Sequence, residues 1–375
     1  MPAKNFVNFH VLISHSPSCL NRDDMNMQKT AVFGGVNRVR VSSQSLKRAM
    51  RTSDYHSAHL GAPSVRTRDL SRLKARMTMA LKDRFDADRI GQALEWMSGK
   101  EDITEDTTGD AVAPWSMEEV AYFCELLGEE GQDLKKLEKQ IAKEAAHFRA
   151  AMTKAKDIAL SGRMATSGLM SSLPVDGAMA IAHAITTHAV EPQDVDWFTA
   201  VDDLTVDAGE TGAGHLDTQQ FSAGVFYRYA SLNLKQLQVN LGLLADMKSE
   251  ETADSRRAAL DIARHVCHML ATVVPSAKQQ SFAAHNLADF AVASFSDQPI
   301  SLANAFEEPV RCDRNGGFLK PSVTALTDYW SRIHTAYGLD ETARAFSVQP
   351  GIELNGPALD SLAALEDWLA KDGRD

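Results

Sequence analysis

The stretch Ser16–Arg51, SPSCLNRDDMNMQKTAVFGGVNRVRVSSQSLKRAMR, contains a polar loop, a Gly34-Gly35 turn, a short basic strand and a helix that opens on serines. Residues 1–51 carry eight Lys or Arg and two acids, a net charge of +6. The whole chain carries −11, so its remainder carries −17. Because binding follows the local field rather than the total charge, this basic segment predicts an anionic partner.

The helix that ends this stretch is predicted to bind phosphate. Ser42 or Ser43 precedes it as the N-cap, and a helix N-terminus presents unpaired N–H groups and a positive dipole end. Lys47 and Arg51, four residues apart, share one face. A solvated basic helix beside a loop fits the composition equally well. The residues predicted to hold a phosphate backbone are Arg22, Lys29, Ser42, Ser43, Gln44, Lys47, Arg48 and Arg51.

Other motifs are missing from the sequence, which excludes several classes. There is no P-loop spacing, no GxSxG, no HExxH and no CxxC pair, so the sequence predicts no cofactor, no metal and no nucleotide triphosphatase. The four cysteines are scattered, which favours a reducing cytoplasm. No signal peptide and no apolar run of membrane-spanning length are evident.

Hydrophobic periodicity predicts an α+β protein. The predicted strands are Asn5–Ser14, Ala178–His188, Val225–Asn233 and Leu287–Phe295. The predicted helices are Ser43–Arg51, Asp69–Phe85, Arg89–Met97, Ser116–Leu127, Gln132–Ile158, Ser255–Val274 and Pro321–Tyr337, with an acidic loop at Gly99–Pro114. Without the helical block and the Glu191–Phe221 segment, the order is strand, helix, strand, strand, helix, strand. That order is typical of the ferredoxin-like, RRM-like scaffold of RNA-recognition modules.

The predicted architecture is a palm with two insertions. The palm comprises residues 1–60, 178–190 and 222–375. A large helical finger insertion spans residues 61–177, and a thumb insertion spans residues 191–221.

The opening stretch closely resembles the backbone subunit (CasC) of the type I-E CRISPR Cascade complex. Further similar stretches are DIALSGRMATSGL (157–169), DGAMAIAHAITTH (176–188), DWFTAVDDL (196–204), FSAGVFYRYA (221–230) and VCHMLATVVPSAK (266–278). The resemblance is weakest at about residues 52–155 and in the C-terminal tail.

The resemblance implies a right-hand shape and a non-catalytic scaffold for antiviral defence. Several copies would polymerise head to tail along one CRISPR RNA, whose exposed bases pair with target DNA. The other implied partners are a repeat-processing endonuclease, a large PAM-recognising subunit, a small subunit and a 5′-end capping subunit, with no membrane.

The thumb insertion contains aromatic residues that could stack on bases or wedge between them. The alternative is that Trp197 and Phe198 anchor the insertion to the palm core. The resemblance favours a thumb that crosses the guide RNA and interrupts the guide–target duplex. It assigns this role to Trp197, Phe198, Thr199 and Leu216.

Two further segments are candidates. Arg163 and Met164 lie in the glycine-flanked run SGRMATSG, which is either an RNA contact, as the resemblance implies, or a tight turn at the finger–palm junction. Lys135, Lys136 and Lys139 fit a solvated helix face, and the resemblance implies a contact with target DNA.

Asp23 and Asp24 support an alternative function. A related subunit of type III CRISPR complexes uses a loop aspartate for metal-assisted RNA cleavage, so a metal-dependent ribonuclease remains open. The type I-E resemblance and the adjacent Arg22 favour an ion pair or a loop cap instead.

Overall fold

The computed structural model of the protein describes residues 4–128, 136, 139, 155–164, 174–198, 216–354 and 356–374. The strands of this part of the chain are β1 (Phe6–Ser18), β2 (Thr30–Phe33), β3 (Val36–Val41), β4 (Val65–Asp69), β5 (Thr108–Trp115), β6 (Met179–Ile181), β7 (Ala184–Thr186), β8 (Gln193–Phe198), β9 (Leu216–Asn233), β10 (Phe290–Ser296) and β11 (Thr342–Ser347). Its helices are α1 (Ser43–Arg51), α2 (Asp54–His59), α3 (Leu70–Leu81), α4 (Ala87–Ser98), α5 (Met117–Gly128), α6 (Lys156–Ser161), α7 (Leu234–Asn240), α8 (Ala253–Thr272), α9 (Gln279–Phe282), α10 (Leu319–Tyr337) and α11 (Leu362–Ala370), with a 3-10 turn at Ala303–Phe306.

The main sheet is centred on β1. Among the described residues its order is β11–β10–β1–β9–β7–β3–β2, and β6 and β8 pair with β9 beside this path. Strand β1 pairs antiparallel with β9 (Phe6 opposite Asn233) and with β10 (Phe6 opposite Ser296). This mixture of helices and antiparallel strands confirms the predicted α+β class.

Strand β1 is buried on both faces, and its residues alternate between two cores. Val7 and Phe9 belong to a core that also contains residues of α1, α8 and α11. Leu12 faces the opposite core, which is covered by α10. Because both faces are covered, six of the eight residues Phe6–Ile13 are apolar, the pattern from which the strand was predicted.

The segment that contains β4, β5, α3, α4 and α5 has a hydrophobic core of its own. Here one prediction is wrong, because the predicted loop Gly99–Pro114 contains most of β5, which pairs with β4. Trp115 explains the strand, since its side chain is 5% exposed and its Nε1–H donates to the Thr67 carbonyl over 3.3 Å. This tertiary packing prevails over the weak strand propensity of the glycine, aspartate and proline nearby.

Other boundaries also differ from the predictions. The predicted strand Ala178–His188 is two short strands, β6 and β7. The predicted helix Gln132–Ile158 lies mostly outside the described residues. No helix in the described ranges is long and apolar enough to cross a membrane.

The predicted turn between β2 and β3 is confirmed. Gly34 and Gly35 have φ angles of 61° and 75°, in the left-handed region that glycine adopts without strain. A Cβ on Gly34 would lie 1.7 Å from the Glu307 carbonyl oxygen, so the close approach of that backbone also requires glycine.

Candidate nucleic-acid interface

Helix α1 is the centre of the candidate interface, and its bounds match the prediction. Ser42 is its N-cap, with φ −66° and ψ 147°, and its Oγ accepts a hydrogen bond from the Ser45 N–H over 3.2 Å. Leu46 and Met50 are buried in the core that also contains Val7 and Phe9, which turns the polar residues of the helix outward.

Some backbone N–H groups at the N-terminus of α1 already have hydrogen-bond partners within the protein. The Ser43 N–H donates to Nδ1 of His183 over 3.1 Å, and the Ser45 N–H is taken by the N-cap. Two of the donors from which an anion site was predicted are therefore already bonded. Binding of phosphate at α1 would depend mainly on cationic side chains.

Three cations lie on one flank of α1, where Arg66 of β4 repels Lys47 and Arg51 of the helix. Burial, together with the nearby charge of Arg66, lowers the pKa of Lys47. Burial and then Arg66 also lower the pKa of Arg51, whose Nη1 donates to the Ser64 carbonyl over 3.0 Å. Neither Lys47 nor Arg66 has a carboxylate partner among the described residues. A bound polyanion would relieve the repulsion between the cations of this basic flank (Lys47, Arg51 and Arg66).

Sequence reasoning missed Arg66. It is exposed on β4 and alternates with the inward-facing Val65 and Thr67. The alternation in Val65–Asp69, VRTRD, was a usable signal, but it is too short to be distinguished from a loop without knowledge of its pairing with β5.

The loop that contains Arg22 and Lys29 is fixed against α1. Oδ1 of Asn21 accepts from the Ser42 N–H over 2.9 Å, and the Lys29 N–H donates to the Asn21 carbonyl over 3.0 Å. Arg22 donates from Nη1 to Oδ1 of Asn26 over 2.8 Å. Both predicted cations therefore belong to an ordered loop that packs beside the helix.

Asp23 holds this loop in shape. Its Oδ1 accepts hydrogen bonds from the N–H groups of Met25 and Met27, each over 2.9 Å, and Asn26 between them has a left-handed φ of 62°. This arrangement is a loop cap of the kind that aspartate commonly forms. Asp24 is exposed at its side. No group of three or more His, Cys, Asp or Glu able to hold a metal occurs among the residues described.

The opposite flank of α1 borders a cavity of about 560 Å³. The helix contributes Ser45, Arg48, Ala49 and Thr52, which recur at helical spacing along one face. Arg22 reaches the same cavity from the neighbouring loop. Lys47 and Arg51 thus lie on one side of α1, and Arg22 and Arg48 lie on the other.

Arg163 is placed differently from the prediction. Its side chain is fully buried, and its Nη1 donates to both carboxylate oxygens of Glu119 on α5, over 2.7 and 2.8 Å. A guanidinium committed in this way cannot reach RNA in this conformation, which argues against the predicted contact. The adjacent Met164 is 85% exposed and remains available to a partner.

The thumb candidates are only partly described. Trp197 and Phe198 end β8, and the backbones of Phe198 and Leu216 are directly opposite each other in the β8–β9 ribbon. Thr199 lies outside the described residues, as does Lys135 of the lysine cluster. Lys136 and Lys139 are helical and exposed. The roles of all these residues stay predictions.

Comparison with known proteins gives four results. A family model for CT1975-like proteins matches residues 7–369. A chain of a solved CRISPR RNA-guided surveillance complex, pre-nicking, is 29% identical with a TM-score of 0.77, over 98% of this chain and 100% of that one. A chain of another CRISPR RNA-guided surveillance complex is 24% identical with a TM-score of 0.59, over 98% and 100% of the two chains, and shows likeness of fold alone. Among curated proteins no match was found.

Proposed function

Because the chain belongs to the CT1975-like protein family, we propose that it is the backbone subunit of a type I-E Cascade complex, which binds CRISPR RNA without cleaving it. The 29% identical chain, matched over its full length, comes from an RNA-guided surveillance complex and supports this role. The proposed setting is the cytoplasm, and the proposed task is recognition of double-stranded DNA targets in antiviral defence.

The observation that carries the proposal is the set of cations around α1. Lys47, Arg48 and Arg66 have no carboxylate partner among the described residues, although the chain has a net charge of −11. In an acidic protein, nearby carboxylates could easily have neutralised them. Cations left unpaired and close together are what a phosphate backbone requires.

The proposed grip is independent of base sequence. Lys and Arg side chains contact phosphate and fix the register of a strand, whereas base edges carry sequence information. A guide RNA whose spacer varies must be held in this way. Base pairing with target DNA would then read the sequence, while the protein contributes shape and charge.

The sheet order supports the ferredoxin-like palm. Strands β10, β1, β9 and β7 are adjacent in that order, and β1 is central, between β9 and β10. Such a split βαβ arrangement is used by RNA-recognition modules. In this proposal the segment with its own core is the finger insertion, and the β8–β9 ribbon is the base of the thumb.

Copies of the chain are proposed to associate head to tail along one RNA. A heterologous contact of this kind does not close, so the RNA and the capping subunits would set the number of copies. The proposed neighbours are the endonuclease, large, small and capping subunits of Cascade, together with target DNA.

The scaffold role is supported over the ribonuclease alternative by the bonding of Asp23. Its Oδ1 already accepts two backbone N–H groups that hold the loop closed. Asp23 therefore has a structural role that accounts for an aspartate at this position without a metal ion.

The experiment that tests the proposal is the salt dependence of RNA affinity. Fluorescence anisotropy with labelled single-stranded RNA should show tight binding. The logarithm of the binding constant should fall linearly with the logarithm of salt concentration. Two RNAs of unrelated sequence should bind within about threefold of each other. Binding that is insensitive to salt, or that differs strongly between the two RNAs, would overturn the proposed grip.

A further inference from the structure

We infer that His188 is a positioning residue for the proposed thumb. Its imidazole replaces a backbone acceptor that Val225 would otherwise find in the neighbouring strand, and it thereby fixes the bend at which the β8–β9 ribbon leaves the main sheet. The consequence for the duplex rests on the proposed function, whereas the hydrogen bond itself can be tested without RNA.

The ladder between β7 and β9 changes at a defined place. Thr186 lies opposite Phe226, so in a regular antiparallel pair Thr187 would lie opposite Val225 and exchange two backbone hydrogen bonds with it. One of these bonds is present, since the Thr187 N–H donates to the Val225 carbonyl over 2.9 Å. The second is replaced, because the Thr187 carbonyl accepts from the Val310 N–H over 3.0 Å.

His188 supplies the acceptor for the Val225 N–H. Its Nε2 accepts from that group over 3.2 Å, and its Nδ1–H donates to the Ala189 carbonyl over 3.0 Å. These two partners require a neutral ring with its proton on Nδ1, because a protonated ring would direct one N–H at another. Burial lowers the pKa of His188, and the charge of Arg38 acts in the same direction, so the ring is neutral at physiological pH.

Close packing holds the His188 ring in this position. The ring is 3% exposed and stacks on Phe318, with centroids 3.6 Å apart and 11° between the planes. A Cβ on Gly224 would lie 2.9 Å from Nε2, so β9 approaches the ring closely at a glycine. The ring therefore has little room to move away from the Val225 N–H.

The His188–Val225 hydrogen bond lies where the ribbon bends. The chain advances seven residues from Thr186 to Gln193, whereas β9 advances five between their partners, Phe221 and Phe226. Two extra residues on one strand form a bulge, which bends and twists a ribbon. On its other edge, β9 also shifts register against β1 at this level. Regular strand pairing therefore does not fix the direction of the ribbon here.

The segment that carries His188 is anchored to the rest of the main sheet and its covering helix. The Thr187 and Ser322 hydroxyl oxygens lie 2.8 Å apart, which ties the segment to α10. The Val190 N–H donates to the Asn37 carbonyl over 3.1 Å, which ties it to β3. The bond from His188 transmits these fixed positions to β9.

A small change in the bend would move the far end of the ribbon by a large distance. Nine residues separate Val225 from Leu216 at the start of β9, about 30 Å at a rise of about 3.3 Å per residue. A change of about 10° at the bend would move Leu216 by about 5 Å, more than the roughly 3.4 Å spacing of stacked bases. A thumb that interrupts a duplex at a set position therefore needs a fixed bend.

The first test is hydrogen–deuterium exchange of the full chain, measured at the Val225 amide. His188→Leu removes the acceptor and keeps much of the bulk, so it should lower the protection factor of this amide about tenfold. His188→Gln should retain most of the protection, because the glutamine side-chain oxygen can accept in place of Nε2. His285→Leu, at an exposed histidine, is the matched control and should change nothing at Val225.

A steric variant tests the same bond without removing the histidine. Gly224 lies outside the left-handed region, so Gly224→Ala adds a contact with the His188 ring and no backbone strain. It should also lower the protection factor of the Val225 amide severalfold. Thermal unfolding of each variant checks that the sheet remains folded.

The second test places the variants in the assembled complex. Chemical probing of the guide–target duplex should show the disturbance expected for Phe198→Ala in His188→Leu, with guide affinity within about threefold of wild type. His188→Gln should restore the wild-type probing pattern. This rescue separates positioning by the hydrogen bond from a general loss of packing.

The outcomes distinguish this inference from the proposed function. If the Val225 amide exchanges alike in wild type, His188→Leu and Gly224→Ala, or if His188→Gln loses as much protection as His188→Leu, the inference is wrong. It is also wrong if Phe198→Ala disturbs the duplex and His188→Leu does not. If exchange changes as expected but the wild-type chain binds no RNA, the proposed function is wrong and the role of His188 in fixing the bend stands.

Discussion

Replacing Arg163 by alanine would leave Glu119 as an unpaired buried carboxylate. The two side chains are 0% and 6% exposed, and both Glu119 oxygens lie within 2.8 Å of Nη1. Removing one partner of such a buried pair typically costs about 3–5 kcal/mol, because the remaining charge is desolvated without compensation. We therefore expect Arg163→Ala to lower the free energy of unfolding by about 3–5 kcal/mol.

The assay is urea unfolding followed by circular dichroism, with RNA affinity measured in parallel under native conditions. Arg84→Ala is the matched control, because Arg84 pairs with Glu125 over 3.0 Å while both side chains are more than half exposed. That substitution should cost no more than about 1 kcal/mol. Replacing both Arg163 and Glu119 by apolar residues should recover much of the lost stability.

The result that would refute this reasoning is a specific one. If Arg163→Ala unfolds like wild type but loses RNA affinity, the guanidinium must leave Glu119 to contact RNA. In that case the contact implied by the resemblance would be correct and the structural role wrong.

Three further outcomes are expected. Lys47→Ala should weaken RNA binding equally for unrelated sequences, and it should lower by about 0.7 the slope of the logarithm of the binding constant against the logarithm of salt concentration. Phe198→Ala should instead disturb the guide–target duplex in chemical probing, with little loss of guide affinity. Equal losses of guide affinity in both variants would contradict this division of roles. Burial alone would lower the pKa of His334, but the Glu341 carboxylate, 3.3 Å away, raises this pKa above 6.5. The pair therefore stabilises the fold fully below pH 6.5, and this stabilisation is lost as the pH rises through the raised pKa. In urea unfolding, Glu341→Gln should lower the free energy of unfolding more at about pH 6 than at about pH 8.5. Asp23→Ala should destabilise the loop, and RNA incubated with this variant and Mg²⁺ should remain as intact on a denaturing gel as RNA incubated with wild type. Cleavage of RNA by wild type that is abolished in this variant would favour the ribonuclease.

The parts of the fold predicted correctly are those in which local pattern and tertiary burial agree. Helix α1 combines a serine N-cap with an apolar stripe, and its bounds were predicted correctly. Six of the eight residues Phe6–Ile13 of β1 are apolar, because both faces of this part of the strand are covered. In each case a short window of sequence contains the information that decides the structure.

The parts that were missed depend on contacts distant in sequence. Strands β4 and β5 form because Val65 and Trp115 pack into one core, although the glycine, aspartate and proline of β5 are weak strand formers. The pairing of Arg163 with Glu119, 44 residues earlier in the chain, was missed in the same way. No local pattern indicates that these two side chains meet.

Some cations of the candidate interface could be predicted from the sequence, and others could not. The cations of α1 could be recognised from the sequence, because charge and helical spacing identify them. Arg66 could not be recognised, because its approach to Lys47 depends on how β4 packs beside α1.

The measurement that tests the central claim most directly is co-purification from cells that express the chain, its proposed partner subunits and a CRISPR array. The complex is incubated with Mg²⁺, its nucleic acid is then released with proteinase, and the products are run on a denaturing gel. We predict one discrete RNA of repeat–spacer length that remains intact after the incubation. A complex without RNA, or RNA that this chain cuts at regular intervals, would contradict it.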